Sequence, residues 1–163
     1  MIYFEFPNKQ IRANAIKEYC EKYNIKKLVC FSCGNASRSL KEVGLDVIDV
    51  SPNGDLETKH WFTQREISEL FPDRFDATSG HVPMELMIMI SDHFKNYLKE
   101  IPEEIYLPTG SGETLVELKL AFPDTKIHAV YNINEATEYS EYCVLNNLVN
   151  VLAEDIIDIK ETS

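Results

Sequence analysis

The feature that most constrains the fold is a regular alternation of short apolar segments with longer segments of helical period. Apolar residues spaced three or four positions apart indicate a helix facing a core, and short apolar runs indicate buried strands. Such alternation builds βαβ units, and therefore a mostly parallel sheet with helices on both faces, a three-layer αβα arrangement. The predicted strands are 2–6, 28–31, 47–50, 105–107, 127–131 and 149–152.

The helix boundaries are marked by capping signals. Thr63 and Glu66 have the spacing of a capping box, and Gly44 stands where a helix cap is expected. Residues 73–82 are predicted to be a loop. The predicted helices are 10–23, 35–43, 63–71, 83–99, 114–122 and 135–147, with Ile11, Ala15, Tyr19 and Tyr23 on the inner face of the first and Leu86, Ile90, Phe94 and Leu98 on that of the fourth.

Length and charge narrow the classes of function. The 163 residues contain no linker-like stretch, so we expect a single α/β domain over 1–163. A net charge of −11 argues against nucleic acid and against an anionic membrane as partners. No apolar run approaches the roughly 20 residues of a membrane span, and the amino terminus does not read as a secretory signal. We expect a cytoplasmic protein with a small-molecule ligand.

Four cysteines raise the question of redox or metal chemistry. Cys30 and Cys33 have a spacing found in redox pairs and in half of a zinc site. The sequence offers no second pair or nearby histidine to complete a metal site, so we expect no bound metal. Cys30 also lies in an apolar run, where a buried thiol is common. Buried structural cysteines are therefore the favoured interpretation, with a redox pair as the alternative.

Two short glycine-containing loops follow predicted strands and open predicted helices. They are 32–37 and 109–114. Unpaired backbone N–H groups and the helix dipole favour an anion at such a place. In the second loop Gly110 and Gly112 allow close approach of the backbone, while Ser111 and Thr114 supply hydroxyl groups. This loop is predicted to hold a phosphate; the alternative is a plain turn whose threonine caps the helix.

The order of these loops resembles the fold-type II pyridoxal-phosphate enzymes, the cysteine synthase and threonine synthase group. Residues 32–36 (SCGNA) are similar to the asparagine loop of that family, and 108–115 (PTGSGETL) to its glycine-rich phosphate loop. The segment 8–12 (NKQIR) occupies the place of the cofactor lysine and a following arginine. The resemblance covers about 7–131, and family members are about twice as long as this chain, which implies a shortened, divergent relative.

The resemblance implies a cofactor and roles for particular residues. Pyridoxal phosphate would form a Schiff base with Lys9 and accept a hydrogen bond from Asn35 at its ring hydroxyl. The implied activity is elimination, replacement or deamination on a small amino acid, as in a lyase. A homodimer is also expected, to complete the site. Residues implied to hold the phosphate are Gly110, Ser111, Gly112 and Thr114.

Weaker candidates and alternative functions remain open. His81 is either an exposed loop histidine or a group that binds a substrate carboxylate or transfers protons. Glu113, beside the phosphate loop, favours a non-catalytic module that binds a phosphorylated ligand. A Rossmann-like nucleotide-binding protein is a further alternative, although the Gly-x-Gly-x-x-Gly spacing is lacking. The weak candidates for substrate binding are Ser32, Ser37, Ser79 and His81.

Overall fold

The structure, a computed structural model, describes residues 2–4, 7–31, 35–50, 62–78, 81–108, 113–132 and 158–162. Within these ranges every strand pairs in parallel, and helices connect most of the strands, so the predicted α/β class is confirmed. The elements are β1 (Ile2–Phe4), α1 (Asn8–Tyr23), β2 (Lys27–Phe31), α2 (Asn35–Glu42), β3 (Asp46–Val50), α3 (Gln64–Leu70), β4 (Phe75–Asp76), α4 (Met84–Tyr97), β5 (Glu104–Pro108), α5 (Glu113–Ala121), β6 (Lys126–Asn132) and β7 (Asp158–Thr162).

The chain divides into two compact units, each with its own sheet. One unit is Lys9–Met89, and the other combines Met1–Asn8 with Ile90–Ser163. The described strands therefore form two sheets, where the sequence analysis expected one. A division into units does not decide whether they fold as one domain, and the single domain over 1–163 stays a prediction.

The sheet of the Lys9–Met89 unit has the strand order β3-β2-β4. Its central strand, β2, places Leu28 opposite Val47 on one side and opposite Phe75 on the other. Residues 28–31 are all buried, as a central parallel strand covered on both faces requires. The apolar run therefore gave the correct prediction for this strand.

Helix ends in this unit follow the predicted signals. Thr63 accepts a hydrogen bond from the Glu66 N–H at 3.2 Å, and the Glu66 carboxylate accepts one from the Thr63 N–H at 3.2 Å. This confirms the capping box and fixes α3, whose Ile67 packs with Val29 and Phe31 in a buried cluster. Gly44, with a φ of 90°, donates to the Lys41 carbonyl at 3.0 Å and closes α2, as predicted.

The inner face of α1 matches the prediction except at its end. Ile11, Ala15 and Tyr19 are buried, whereas Tyr23 is 46% exposed. Tyr23 lies in the last turn and directs its hydroxyl to the Glu85 carboxylate, which also accepts from Lys22 Nζ at 2.6 Å. The hydrogen bonds from Lys22 and Tyr23 lower the pKa of Glu85. The spacing of every fourth residue assigned Tyr23 to the core, but a polar contact with Glu85 holds it at the surface.

A short strand lies where the sequence analysis predicted only loop. Residues 73–82 contain β4, which pairs with Leu28 and Val29 of β2. Arg74, just before β4, donates to the Leu28 carbonyl at 3.0 Å and approaches the Asp46 carboxylate at 3.2 Å. Two residues are too few to show an alternating pattern, which explains why the prediction was wrong here.

The other unit contains a parallel sheet with the order β1-β5-β6-β7. Ile105 of β5 pairs with Ile127 of β6, and both are buried. His128 is buried, 3.1 Å from the Glu104 carboxylate and stacked on Tyr106. Strand β7 was not predicted, and the predicted elements at 135–147 and 149–152 lie outside the described residues.

The long helix α4 runs from one unit into the other. Its predicted inner face is confirmed, because Leu86, Ile90, Phe94 and Leu98 are all buried. Within the described ranges, no helix combines the length and the apolar character that a membrane span requires.

Cys20 and Cys30 are both buried, and Cys33 lies outside the described residues. Burial raises the pKa of the Cys20 thiol to about 11, so the reactive thiolate is scarce at neutral pH. We expect iodoacetamide at pH 8 to leave Cys20 unlabelled in the native chain and to label it in denaturant, as measured by peptide mass spectrometry. Rapid native labelling of Cys20 would contradict this packing.

Candidate functional site

The best-defined polar cluster lies at the carboxyl edge of the β3-β2-β4 sheet. Strand β2 ends at Phe31, whose N–H donates to the Thr78 hydroxyl at 2.8 Å. The Ala77 N–H donates to the Val29 carbonyl at 2.8 Å. The chain beyond β4 therefore runs beside the end of β2, where ligands of open parallel sheets usually bind.

Arg12 attaches the beginning of α1 to the same edge. Its side chain is buried, with 3% exposed, and its guanidinium nitrogens donate to the Ala77 carbonyl at 3.4 and 3.5 Å. Lys9 is the second residue of α1 and stands three residues before Arg12, on the same face of the helix. Lys9 is half-buried. The first turn of α1 therefore lies near the carboxyl ends of β2 and β4.

A histidine–carboxylate pair follows β4. His81 Nδ1 lies 2.7 Å from Asp76 Oδ2, and the two side chains are only 16% and 10% exposed. The other carboxylate oxygen of Asp76 accepts from the Thr78 N–H at 2.9 Å. The backbone of His81 is also held, because its N–H donates to the Thr78 carbonyl at 3.0 Å and its carbonyl accepts from Gln64 Nε2 at 3.2 Å.

This arrangement combines positive charge with a group that transfers protons. Lys9 and Arg12 supply cationic nitrogens on one helical face. A carboxylate hydrogen-bonded to one imidazole nitrogen fixes the orientation of the ring and leaves the other nitrogen for proton transfer. The edge is therefore chemically suited to an anionic ligand whose reaction requires acid–base assistance.

The structure describes only some of the predicted site residues that belong to the Lys9–Met89 unit. Asn35 is the first residue of α2, which follows β2, so the predicted position of the loop between strand and helix is confirmed. Ser37 is in α2 and is buried. Ser32 and Ser79 lie outside the described residues. The side chain of Asn35 also lies outside them.

The predicted phosphate loop belongs to the other unit. Strand β5 ends at Pro108 and α5 begins at Glu113, so the predicted loop does lie between a strand and a helix in the sequence. Gly110, Ser111 and Gly112 lie outside the described residues, and Thr114 is the second residue of α5. Convergence of this turn with Lys9 and Asn35 stays a prediction.

Sequence reasoning pointed to the segment 78–81 but did not identify Asp76 as a member of the cluster. One signal was present: an aspartate two residues before a threonine can accept that residue's N–H, as Asp76 does here. The interpretation of His81 as an exposed loop residue is wrong, because its ring is mostly buried against Asp76.

Comparisons with known proteins give distant structural matches alone. No protein-family model matches the chain, and no curated protein matches its sequence. A structure of maize serine racemase is similar over 78% of this chain and 50% of that chain, with 14% identity and a TM-score of 0.46. The processed form of threonine deaminase isoform 2 from Solanum lycopersicum is similar over 97% of this chain and 51% of that chain, with 13% identity and a TM-score of 0.46.

This chain spans about half the length of each of those two structures. At such a TM-score and identity the likeness does not establish a shared fold or activity.

Proposed function

We propose that this protein binds pyridoxal phosphate at the carboxyl edge of the β3-β2-β4 sheet, with Lys9 as the amine to which the cofactor aldehyde attaches. One observation carries the proposal. The contact of Arg12 with the Ala77 carbonyl and that of Phe31 with Thr78 bring the start of α1 to the strand end that leads to Asn35. A lysine and an asparagine far apart in the chain thereby belong to one edge.

The chemistry of the donor set fits this cofactor. Pyridoxal phosphate presents an aldehyde, a ring hydroxyl and a dianionic phosphate, which need an amine, a polar side chain and anion-binding donors respectively. Lys9 supplies the amine and Asn35 the amide, while the buried Arg12 adds positive charge near the amine. In bound form the cofactor provides an electron sink for bond breaking at the α-carbon of an amino acid.

The chain's own residues supply binding, orientation and proton transfer. We propose that the Gly110–Gly112 turn and the Thr114 hydroxyl hold the phosphate at the start of α5, where the N-terminus of the helix favours an anion. The Lys9 amine moves a proton at the α-carbon of the substrate. The proposed substrates are small amino acids, and the proposed reactions are elimination, replacement or deamination, which a lyase would perform.

Borohydride trapping tests the proposal. We expect pyridoxal phosphate followed by borohydride to leave a pyridoxyl group on Lys9, located by peptide mass spectrometry, because reduction makes the attachment permanent. K9A should lose the adduct. The matched control is K17A, since Lys17 is an exposed lysine on the same helix, and it should label like the wild type.

The distribution of label decides the outcome. Modification spread over several surface lysines, or equal labelling of K9A, would overturn the role of Lys9. A second candidate is a non-catalytic module that binds a phosphorylated ligand without attachment to Lys9. Glu113 favours it over an enzyme, because repulsion between a carboxylate and the phosphate loosens the firm hold that a catalytic cofactor needs. That candidate predicts thermal stabilisation by the phosphorylated ligand and no adduct.

A further inference from the structure

We propose that Asp76 and His81 form an acid–base pair of the ligand site, in which His81 protonates the group that departs from the side chain of the substrate. The inference deepens the proposed function and rests on it. Asp76 is the positioning residue, a role that no sequence pattern indicated, and His81 is the proton donor.

The first support is the rigidity of the pair. Both oxygens of the Asp76 carboxylate are used, one by His81 Nδ1 at 2.7 Å and the other by the Thr78 N–H at 2.9 Å. The carboxylate therefore cannot turn without breaking a contact. Because Nδ1 is engaged with Asp76, Nε2 is the ring nitrogen that serves for proton transfer.

The second support is the position of the pair. The Thr78 hydroxyl accepts from the N–H of Phe31, the last residue of β2, and the N–H of His81 donates to the Thr78 carbonyl. Arg12 donates to Ala77, between Asp76 and Thr78. The pair is therefore built into the same edge that carries the start of α1, with Lys9, and the end of β2.

The proposed step is the loss of water from an amino acid that carries a hydroxyl group on its side chain. The α-proton passes to the Lys9 amine, and the electron pair of the broken carbon–hydrogen bond forms a double bond between the α- and β-carbons. The carbon–oxygen bond of the side chain breaks, its electron pair leaves with oxygen, and the proton on His81 Nε2 completes a water molecule. His81 becomes neutral and regains a proton from solvent, so the step requires no oxidant or reductant. Asp76 holds the ring in place through the contact with Nδ1.

A pair of substrates distinguishes this role from a structural one. Elimination from L-serine needs a proton for the departing hydroxide, whereas elimination from β-chloro-L-alanine releases chloride, which needs none. In the full chain with pyridoxal phosphate, we expect H81N to slow elimination from L-serine about 100-fold or more. Elimination from β-chloro-L-alanine should change far less. D76N should produce the same split to a smaller degree, and the control H93N should produce none.

The outcomes separate the two proposals. Three results would overturn the acid–base pair alone, provided that the Lys9 adduct forms normally. They are equal slowing of both substrates in H81N, no slowing of either substrate in H81N, and no product from either substrate in the wild type. Absence of the Lys9 adduct in the wild type removes the ligand site and with it both proposals.

A second measurement uses the native chain and does not depend on a variant that folds. Diethylpyrocarbonate acylates an accessible neutral imidazole nitrogen. We expect labelling of His81 to be slowed at least several-fold by bound pyridoxal phosphate, whereas labelling of His93 is unchanged. Equal labelling of His81 with and without the cofactor would overturn its place in the site.

Discussion

Leu28→Ala is expected to lower the free energy of unfolding by about 2 to 5 kcal/mol. Leu28 lies fully buried in the central strand of the β3-β2-β4 sheet, with Val47 and Phe75 as its strand partners. Truncation removes apolar contacts on a strand that is covered on both faces, and the cavity cannot fully close. Urea unfolding followed by circular dichroism measures the loss.

The matched control is Ile48→Ala on the neighbouring strand. Ile48 is already 38% exposed, so its truncation removes less buried surface and should cost clearly less than Leu28→Ala. Equal losses for the two variants would contradict the assignment of β2 as the central buried strand.

Thr78→Val is expected to cost about 1 to 3 kcal/mol, although valine has nearly the same shape. The substitution removes the hydroxyl that accepts the Phe31 N–H at 2.8 Å in a buried setting. The amide of Phe31 should also exchange with solvent faster, because the end of β2 loses one of its attachments to the chain beyond β4. Urea unfolding and amide hydrogen exchange give the two measurements.

Thr78→Ser is the control, since serine retains a hydroxyl and loses only a methyl group. It should keep the slow exchange of the Phe31 amide and most of the stability. If valine and serine behaved alike, the hydroxyl would not be the group that holds the strand end.

The fold was predictable where apolar spacing and capping signals agree. The run at 28–31 and the capping box at Thr63 gave β2 and the start of α3 correctly. β4 could not be predicted, because its pairing with β2 comes from a tertiary contact and not from a pattern in two residues. Tyr23 shows the same limit, since a fourfold spacing does not reveal that Glu85 attracts its hydroxyl outward.

The candidate site was predictable only in part. Glycine-containing turns after strands identified the starts of α2 and α5, because helix N-termini at strand ends have a local signature. The pairing of His81 with Asp76, and that of Arg12 with the Ala77 carbonyl 65 residues away, depend on how β4 lies against β2. Contacts between side chains that are far apart in the sequence produce no periodic pattern from which they could be predicted.

We propose above all that Lys9 is the attachment point for pyridoxal phosphate at the carboxyl edge of this sheet. A visible absorbance spectrum tests it most directly, because attachment to an amine inside a site shifts the absorption of the cofactor away from that of its free aldehyde. We expect a saturable shift with one equivalent of cofactor in the wild type and in K17A, and none in K9A. A wild-type spectrum equal to the sum of protein and free cofactor would contradict it.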